Sequence, residues 1–314
     1  MEHQLGTECG TIDEMQFPPV LNMLGPWLTQ PSLGMVYGWR GSGKTWFSLS
    51  VAYAVASGGD FLSWTAKAPS RVMYVDGEMG KAAIQQRQRS IFMGADKGVD
   101  NGKLFYYTFQ DNRGVIPNLA DTKDWHIYNR LIENVHLLII DNICCCVRPL
   151  SGQSEVEAWA TVQEWAISQR GKGKSILFVH HSGKSGSQLG TSTREQPMDY
   201  VIALKRPPNV GPEAGCVFEL HFEKNRNFFG DDVTPLYVRL EHKDTGLSWN
   251  YSTLYERQKI DVMALKERCG AYTVSDIAEL TGLSTMTVKR ILSESTVMEH
   301  VRSKINGTDE DENF

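Results

Sequence analysis

Long apolar runs, a basic leader and paired cysteines are all missing from this chain of 314 residues. No apolar stretch approaches the ~20 residues that a membrane-spanning helix needs. The opening residues, MEHQLGTECG, have neither the basic nor the apolar region of a signal peptide. These absences predict a cytoplasmic protein that has no membrane partner.

The six cysteines contain no C-x-x-C pair, so the sequence supports neither a zinc knuckle nor a dithiol redox motif. Cys144, Cys145 and Cys146 are adjacent within a strand-like stretch, and the other three are scattered along the chain. We interpret all six as small hydrophobic side chains of the core.

An excess of positive charge is missing as well. The net charge of -5 argues against a uniformly basic nucleic-acid binder, although it leaves room for a local basic groove. Part of the negative charge lies in an acidic tail at residues 307–314, which we predict to be disordered. Residues 1–16 show no periodic pattern and are also predicted to be disordered.

From residue 17 onward, short apolar strands alternate with helical stretches, a pattern typical of a parallel α/β sheet. After an irregular lead-in, strands are predicted at 35–38, 71–76, 104–107, 136–142, 175–180, 200–205, 216–224 and 236–240, and helices at 45–56, 80–93, 123–134 and 156–170. The later strands have little helix between them, so we expect an antiparallel extension of the sheet. One α/β domain is therefore predicted over 17–252.

Eight residues, Gly38-Trp39-Arg40-Gly41-Ser42-Gly43-Lys44-Thr45, match the phosphate-binding loop G-x-x-x-x-G-K-[ST]. The glycines let backbone N–H groups face phosphate oxygens, the lysine reaches the β- and γ-phosphates, and the threonine hydroxyl can bind Mg²⁺. A strand before the loop and an apolar helix after it support the motif. The cofactors expected are therefore ATP and Mg²⁺, and the residues expected to hold them are Gly38, Arg40, Gly41, Ser42, Gly43, Lys44, Thr45 and Trp46.

Two carboxylates follow buried strands at positions that suit phosphate chemistry. Glu78 comes just after the strand 71–76 and is a candidate to deprotonate the attacking water, the alternative being that it caps the next helix. Asp141 ends the apolar run Leu137-Leu138-Ile139-Ile140 and is expected to hold Mg²⁺ together with Thr45.

A further buried strand ends at His180 and His181. A polar side chain there can sense the γ-phosphate and report to the following loop, the alternative being a histidine pair satisfied in the core or at the surface. A metal site made by the pair is disfavoured because no third ligand is evident nearby.

Residues 182–194 form a long polar segment with two cations and no acid. Long loops inside a compact domain are usually functional or disordered. Lys184 and Arg194 are candidates to contact a phosphate backbone, and a loop without a ligand is the alternative. Lys224 and Arg226, near the end of a late strand, are candidates to reach the γ-phosphate of a neighbouring subunit, although such a pair is more often a solvated surface feature.

In this order the segments resemble the RecA/DnaB-like P-loop ATPases (AAA_25-like), most closely the RepA group of plasmid and phage replicative hexameric helicases. The resemblance covers about residues 17–251 and is carried by G-W-R-G-S-G-K-T, V-D-G-E, L-L-I-I-D-N, F-V-H-H-S-G-K and F-E-K-N-R-N. It implies a RecA-like core with a mostly parallel twisted sheet. It also implies a homo-oligomeric ring, commonly a hexamer, with ATP at each subunit interface.

The same resemblance implies roles for individual residues. Its catalytic glutamate corresponds to Glu78, its Mg²⁺-binding acid to Asp141, and its sensor to His180 or His181. Its DNA-contacting pore loop corresponds to about residues 183–196. Its basic pair that acts on a neighbouring subunit corresponds to Lys224 and Arg226.

The C-terminal residues predict a small helical domain of the (winged) helix-turn-helix kind at 256–306. Ser275 and Ser284 are expected to cap its two helices, Gly282 lies at the turn, and a supporting helix is expected at 260–269. The expected core is Ile277, Leu280, Leu283, Val288, Ile291 and Leu292. The second helix would present Thr285, Met286, Thr287, Lys289 and Arg290 to a DNA major groove.

The charge of this C-terminal domain leaves its role open. Residues 256–306 contain eight Lys or Arg and seven Asp or Glu, a net charge of +1, which is low for a DNA reader. A role in protein contacts or ring packing therefore remains an alternative.

Three functions are compatible with the sequence. The leading hypothesis is an ATP-driven motor or loader of the replicative-helicase type that acts on DNA, either on a single strand through the pore loop or on a duplex through the helix-turn-helix. The second is a regulator in which ATP switches the oligomeric state of a DNA-bound helix-turn-helix without translocation. A kinase that does not act on DNA is the third, and no acceptor site supports it.

Overall fold

A computed structural model describes residues 6–17, 19–181, 194–208, 210–268 and 272–306. The strands are β1 (Leu21–Leu24), β2 (Leu28–Gln30), β3 (Leu33–Gly38), β4 (Asp60–Phe61), β5 (Trp64–Thr65), β6 (Val72–Asp76), β7 (Leu104–Thr108), β8 (Leu137–Asp141), β9 (Ser175–His181), β10 (Tyr200–Lys205), β11 (Val217–Asn225), β12 (Leu236–Lys243) and β13 (Gly246–Thr253). The α-helices are α1 (Cys9–Glu14), α2 (Lys44–Ser57), α3 (Lys81–Gly94), α4 (Trp125–Glu133), α5 (Ile143–Cys146), α6 (Glu155–Gly171), α7 (Leu254–Arg268), α8 (Val274–Thr281) and α9 (Thr285–Asn306).

Nine strands form one twisted sheet in the order β13-β12-β11-β10-β3-β9-β8-β6-β7. The six strands from β10 to β7 are parallel, and β11, β12 and β13 extend the sheet antiparallel from β10. This is the RecA-like P-loop α/β core that was predicted, so that part of the fold class and the antiparallel extension of the sheet are confirmed.

Two hydrophobic clusters cover the two faces of this sheet. One contains α2, the β1–β2 hairpin and the apolar side chains of β12 and β13. The other contains α4, α5 and α6. The central strands are buried on both faces, which explains why they are continuous apolar runs instead of alternating ones.

The carboxyl ends of four neighbouring strands meet at one edge of the sheet. Gly38 of β3 pairs with His181 of β9, and Asp76 of β6 pairs with Asp141 of β8. Ligands of open α/β sheets bind at this edge. The chain therefore brings its phosphate loop, both candidate carboxylates and the histidine pair to one place.

The predictions for the N-terminal part need correction. Residues 9–14 were expected to be disordered but form α1, which has no buried residue. The lead-in was expected to be irregular, but it contains the antiparallel β1–β2 hairpin. Both strands are short, and they flank Gly25 and Pro26, so the usual alternating pattern of a hairpin is absent from the sequence.

The expectation that the cysteines are buried in a strand is also wrong in part. Cys144, Cys145 and Cys146 lie in the helical turn α5, because the Asn142 side chain accepts the Cys145 N–H and starts a helix there. Cys146 is buried, whereas Cys9 and Cys144 are exposed. Cys269 and the acidic tail lie outside the described residues.

The described C-terminal residues are helical, with a small core made by Val262, Ile277, Ala278, Val288 and Ile291. Gly282 ends α8 with φ +71°, and the Ser284 hydroxyl accepts the Thr287 N–H at 3.1 Å, as expected for the turn and the second cap. The supporting helix α7 begins at Leu254, directly after β13.

Three expectations for this region are wrong. Thr273 caps α8 in place of Ser275, because its hydroxyl and the Asp276 carboxylate accept each other's backbone N–H at 3.2 and 2.8 Å. Leu280 is 46% exposed and is not part of the core. The (winged) form was also expected, but the described part of 254–306 contains no strand and hence no wing.

Among the described helices none is long and apolar enough to cross a bilayer.

Candidate active site

The phosphate loop joins β3 to α2, and its lysine lies over it. The Lys44 Nζ donates to the carbonyl oxygens of Gly38 at 2.9 Å and Trp39 at 2.7 Å. Burial lowers the pKa of Lys44 to about 8, and the carboxylates of Asp141 and Glu78 oppose that shift. The ammonium group is therefore poised beside the loop, where phosphate oxygens would stabilise its charge.

Gly43 shows why the loop needs glycine at this position. Its φ is +88°, and an added Cβ would lie 2.1 Å from the Cys216 Sγ. A larger residue would be strained in backbone and side chain alike. The sequence motif therefore reflects the packing of the loop against the start of β11 as well as phosphate binding.

The other residues expected to hold the nucleotide surround the loop. Ser42 is buried, and Arg40 and Gly41 are exposed. Trp46 is half-buried, with the Arg87 guanidinium 4.9 Å from its ring centroid and the His242 ring at 5.4 Å. Whether these residues contact a nucleotide stays a prediction.

Asp141 and Thr45 form the candidate Mg²⁺ site. The buried Asp141 carboxylate accepts the Tyr74 hydroxyl at 2.6 Å and a hydrogen bond from Thr45. Burial raises the pKa of Asp141, and these two hydrogen bonds oppose the shift. A hydroxyl and a carboxylate oxygen side by side are hard ligands that fit Mg²⁺, which takes its remaining ligands from phosphate and water.

The described residues contain no group of three His, Cys, Asp or Glu side chains that could hold a metal ion. A cage made by the protein alone, including one built on His180 and His181, is therefore not formed there. The Thr45–Asp141 pair is instead suited to a metal ion that arrives with the phosphates of the nucleotide.

Glu78 lies on the loop between β6 and α3 and does not cap α3, whose first turn has no side-chain cap. The buried Asp76 carboxylate shapes this loop by accepting the N–H groups of Met79 at 2.9 Å and Gly80 at 2.7 Å. The alternative role expected for Glu78, helix capping, is therefore wrong.

The Glu78 carboxylate is held from one side. Its Oε1 accepts the Asn142 amide at 2.7 Å, and the Nε2 of His181 lies 3.7 Å away. Burial acts to raise the pKa of Glu78, but the Asn142 hydrogen bond and His181 outweigh it, so the pKa is lowered. Glu78 is ionised at neutral pH and its side chain is half-exposed, as a base that must meet water requires.

The two histidines at the end of β9 have different surroundings. His181 faces Asn142 and Glu78, and burial lowers its pKa, so the ring is neutral at pH 7. His180 is buried, and its Nε2 accepts the Arg194 guanidinium at 3.0 Å. The structure thus places His181, and not His180, beside the candidate base.

The residues expected to contact DNA are only partly described. Lys184 lies outside the described residues. Arg194 is turned inward, where it also bonds to Glu155 at 3.2 Å. Thr287 is half-buried at its helix cap, whereas Lys289 and Arg290 are exposed on α9. Their DNA contacts stay predictions.

Lys224 and Arg226 lie at the opposite edge of the sheet from the phosphate loop. Lys224 of β11 pairs with Val201 of β10. Val201 in turn pairs with Met35, which lies near the amino end of β3. The Lys224 Nζ and the Arg226 guanidinium both donate to the carbonyl oxygen of Gln196, at 3.0 and 2.8 Å. They do not reach the phosphate loop of their own subunit.

Two residues of the site were missed by sequence reasoning. Asn142 directly follows Asp141, and that position at a strand end was the available signal. Tyr74 lies inside β6 with its hydroxyl between Asp141 and Ser48, which is 2.8 Å away. Nothing in the sequence distinguishes this tyrosine from a core residue.

One family profile and one solved structure are similar to parts of this chain. Residues 4–187 match the profile of the AAA_25 family, described as AAA domain. The crystal structure of a KaiC-like protein from the hyperthermophilic archaeon Pyrococcus horikoshii OT3 is similar, with 16% sequence identity, 71% of this chain and 91% of that chain covered, and a TM-score of 0.49. The family match spans more than half of the chain and includes the phosphate loop, Glu78 and Asp141.

Proposed function

We propose that this chain, which belongs to the AAA_25 family of AAA domains, hydrolyses ATP with Mg²⁺. It uses the energy of hydrolysis as a DNA-associated motor or loader of the replicative-helicase type. The observation that carries the proposal is the meeting of Lys44, Thr45, Asp141 and Glu78 at one sheet edge. Together they supply a phosphate-binding cation, a metal site and an ionised base.

Each group has one part in the hydrolysis. Lys44 stabilises charge on the γ-phosphate, and Thr45 and Asp141 orient the metal ion. Mg²⁺, when bound, neutralises charge that develops on the phosphate oxygens. Glu78 orients the attacking water and accepts its proton.

The part of the proposal that concerns DNA is supported by the segment after β9. His181 precedes this segment and faces Glu78, and Arg194 follows it and contacts His180. His181 therefore lies at the site of hydrolysis, and Arg194 contacts its sequence neighbour. DNA that acts on His181 would change the surroundings of the base, which is what a DNA-stimulated ATPase requires.

The assembly we propose is a homo-oligomeric ring, commonly a hexamer, with ATP between subunits. It is supported by the position of Lys224 and Arg226 at the edge of the sheet away from their own phosphate loop. Two basic side chains there can serve a neighbouring subunit.

A second candidate is an ATP-switched DNA-binding regulator. It is favoured by the three-helix C-terminal unit, which exposes Lys289 and Arg290 at the beginning of α9. On this hypothesis α9 enters the major groove and no translocation occurs.

The test measures the ATPase rate with and without single-stranded and duplex DNA, alongside the mass of the protein with a non-hydrolysable nucleotide. A motor predicts stimulation by single strands, a ring-sized mass and unwinding of a forked duplex. Hydrolysis that no single strand stimulates, without unwinding, contradicts the motor. Sequence-specific duplex binding that Arg290→Ala relaxes would then favour the regulator.

A further inference from the structure

Asn142 occupies a position where every polar atom of its amide is used. The side chain is 1% exposed, and its Oδ1 accepts the Cys145 N–H at 3.3 Å at the start of α5. This contact fixes the orientation of the amide, because it directs the oxygen toward the helix and the nitrogen away from it.

The two N–H groups of the amide nitrogen donate hydrogen bonds to two neighbouring side chains of the site. One goes to the Glu78 Oε1 at 2.7 Å and the other to the His181 Nε2 at 3.1 Å. For the ring to accept, it must be neutral with its proton on Nδ1, and the lowered pKa of His181 favours a neutral ring. The amide thereby joins the carboxylate to the end of β9.

The contacts on Glu78 are unequal between its two oxygens. The Asn142 amide, the His181 ring and the Cys145 thiol all approach Oε1, at 2.7, 3.7 and 3.7 Å. Among the described residues, no hydrogen bond reaches Oε2. One oxygen is thus fixed and the other is left for water.

We propose that Asn142 is a positioning residue that holds Glu78 through Oε1, so that Oε2 faces the attacking water, and that ties this orientation to His181 at the end of β9. The proposal rests on the proposed function, in which Glu78 is the base. In that reaction the water oxygen bonds to the γ-phosphorus and a water proton passes to Oε2. The bond to the bridging oxygen breaks, and its electron pair stays on ADP.

The test uses Asn142→Asp in the full chain. Aspartate keeps the size of the side chain and the oxygen that caps α5, but it replaces the N–H donor with an oxygen that repels Glu78. We expect kcat to fall about 100-fold, the effect of a misplaced catalytic group, while KM for ATP stays near the wild-type value. Asn118→Asp is the matched control, because Asn118 is also a buried amide and it contacts Arg148 instead of the site.

A second background separates positioning from a general structural role. In single-turnover assays, adding Asn142→Asp to Glu78→Gln should cause no further loss, because Asn142 acts on the reaction only through the Glu78 carboxylate. An unchanged kcat in Asn142→Asp, or an equal fold loss in both backgrounds, would overturn the proposal. If circular dichroism shows that this variant is unfolded, Asn142→Ser gives the same readout, since serine also caps helices.

Failure of the proposed function has a different signature. It would appear as a wild-type protein that does not hydrolyse ATP, or as a Glu78→Gln variant that is as active as wild type. The positioning role of Asn142 fails alone when Glu78→Gln is slow and Asn142→Asp is not.

Discussion

At the scale of single residues, the Tyr74 hydroxyl holds Asp141 and the Asn142 amide holds Glu78. Both are neutral groups that fix a carboxylate without neutralising it. The charged residues of the site could be located from sequence because the phosphate loop and strand ends mark them. Tyr74 could not, since it looks like a core residue and is 67 residues from Asp141, and the signal for Asn142, which is 64 residues from Glu78, was its position after Asp141 at a strand end.

Tyr74→Phe should weaken the Mg²⁺ site. The buried Asp141 would lose its donor at 2.6 Å, which we expect to cost about 1–3 kcal/mol of stability. Loss of such a supporting group typically lowers metal affinity by about 10- to 100-fold. Mg²⁺ titration of the ATPase rate and denaturant unfolding measure the two effects.

The control for this change is Tyr106→Phe. Tyr106 lies on the neighbouring strand with its ring centroid 6.0 Å from that of Tyr74, and no described hydrogen bond joins it to Asp141. A Tyr74→Phe variant with the Mg²⁺ requirement of wild type would show that the hydroxyl does not orient Asp141.

At the scale of elements, the parallel strands were predicted within a few residues because each is a continuous apolar run next to a turn. The strand β13 was missed, and the β1–β2 hairpin with it. In β13 the burial pattern is mixed, and Asn250 and Tyr251 are exposed, so the sequence has neither a buried run nor a clean alternation. Pairing with β12 along its whole length makes this segment a strand, and that partner cannot be read locally.

The cap of α8 shows how a spacing decides between two candidates. Thr273 has Asp276 three residues later, which completes a reciprocal pair of hydrogen bonds, whereas Ser275 lies inside the first turn. The placement of Ser284 needed no such partner and was predicted correctly.

Thr273→Ala should destabilise α8 by about 1 kcal/mol, because it removes the cap hydroxyl. Hydrogen exchange of the α8 amides in the full chain measures the effect. Thr273→Ser, which keeps the hydroxyl, should exchange like wild type. Equal protection of α8 in the alanine variant would mean that packing alone sets its N-terminus.

At the scale of the whole molecule, the sheet order bears on the proposed assembly. It explains why, in that proposal, a second subunit must supply the basic pair to the site. The phosphate loop lies at the carboxyl edge of the parallel strands, and Lys224 and Arg226 lie at the amino edge. The sequence predicted an antiparallel extension of the sheet, but it could not predict this separation, because that depends on which residues of β11 pair with β10.

The ion pair that holds Arg226 in its own subunit is weak. Arg226 lies 3.8 Å from Asp199 and is half-exposed, and an ion pair of that kind contributes about 0–1 kcal/mol. Its release toward the γ-phosphate of a neighbouring subunit would break this ion pair and the hydrogen bond to the Gln196 carbonyl oxygen.

Arg226→Ala should lose ATPase activity, and mixing it with Lys44→Ala should restore part of that activity. In the mixture, Lys44→Ala subunits supply Arg226 and Arg226→Ala subunits supply an intact phosphate loop. Steady-state rates across mixing ratios measure the effect, and Arg239→Ala, an exposed arginine on β12, should behave as wild type. Rates that equal the average of the separate variants at every ratio would contradict action on a neighbouring subunit.

The most direct measurement is single-turnover hydrolysis of radiolabelled ATP by wild type and Glu78→Gln, with nucleotide affinity determined on the same samples. The account predicts that both bind ATP alike and that the variant cleaves it at least about 100-fold more slowly, since a general base contributes about 10²- to 10⁴-fold. Equal cleavage rates at equal affinity would contradict the assignment of Glu78 as the base.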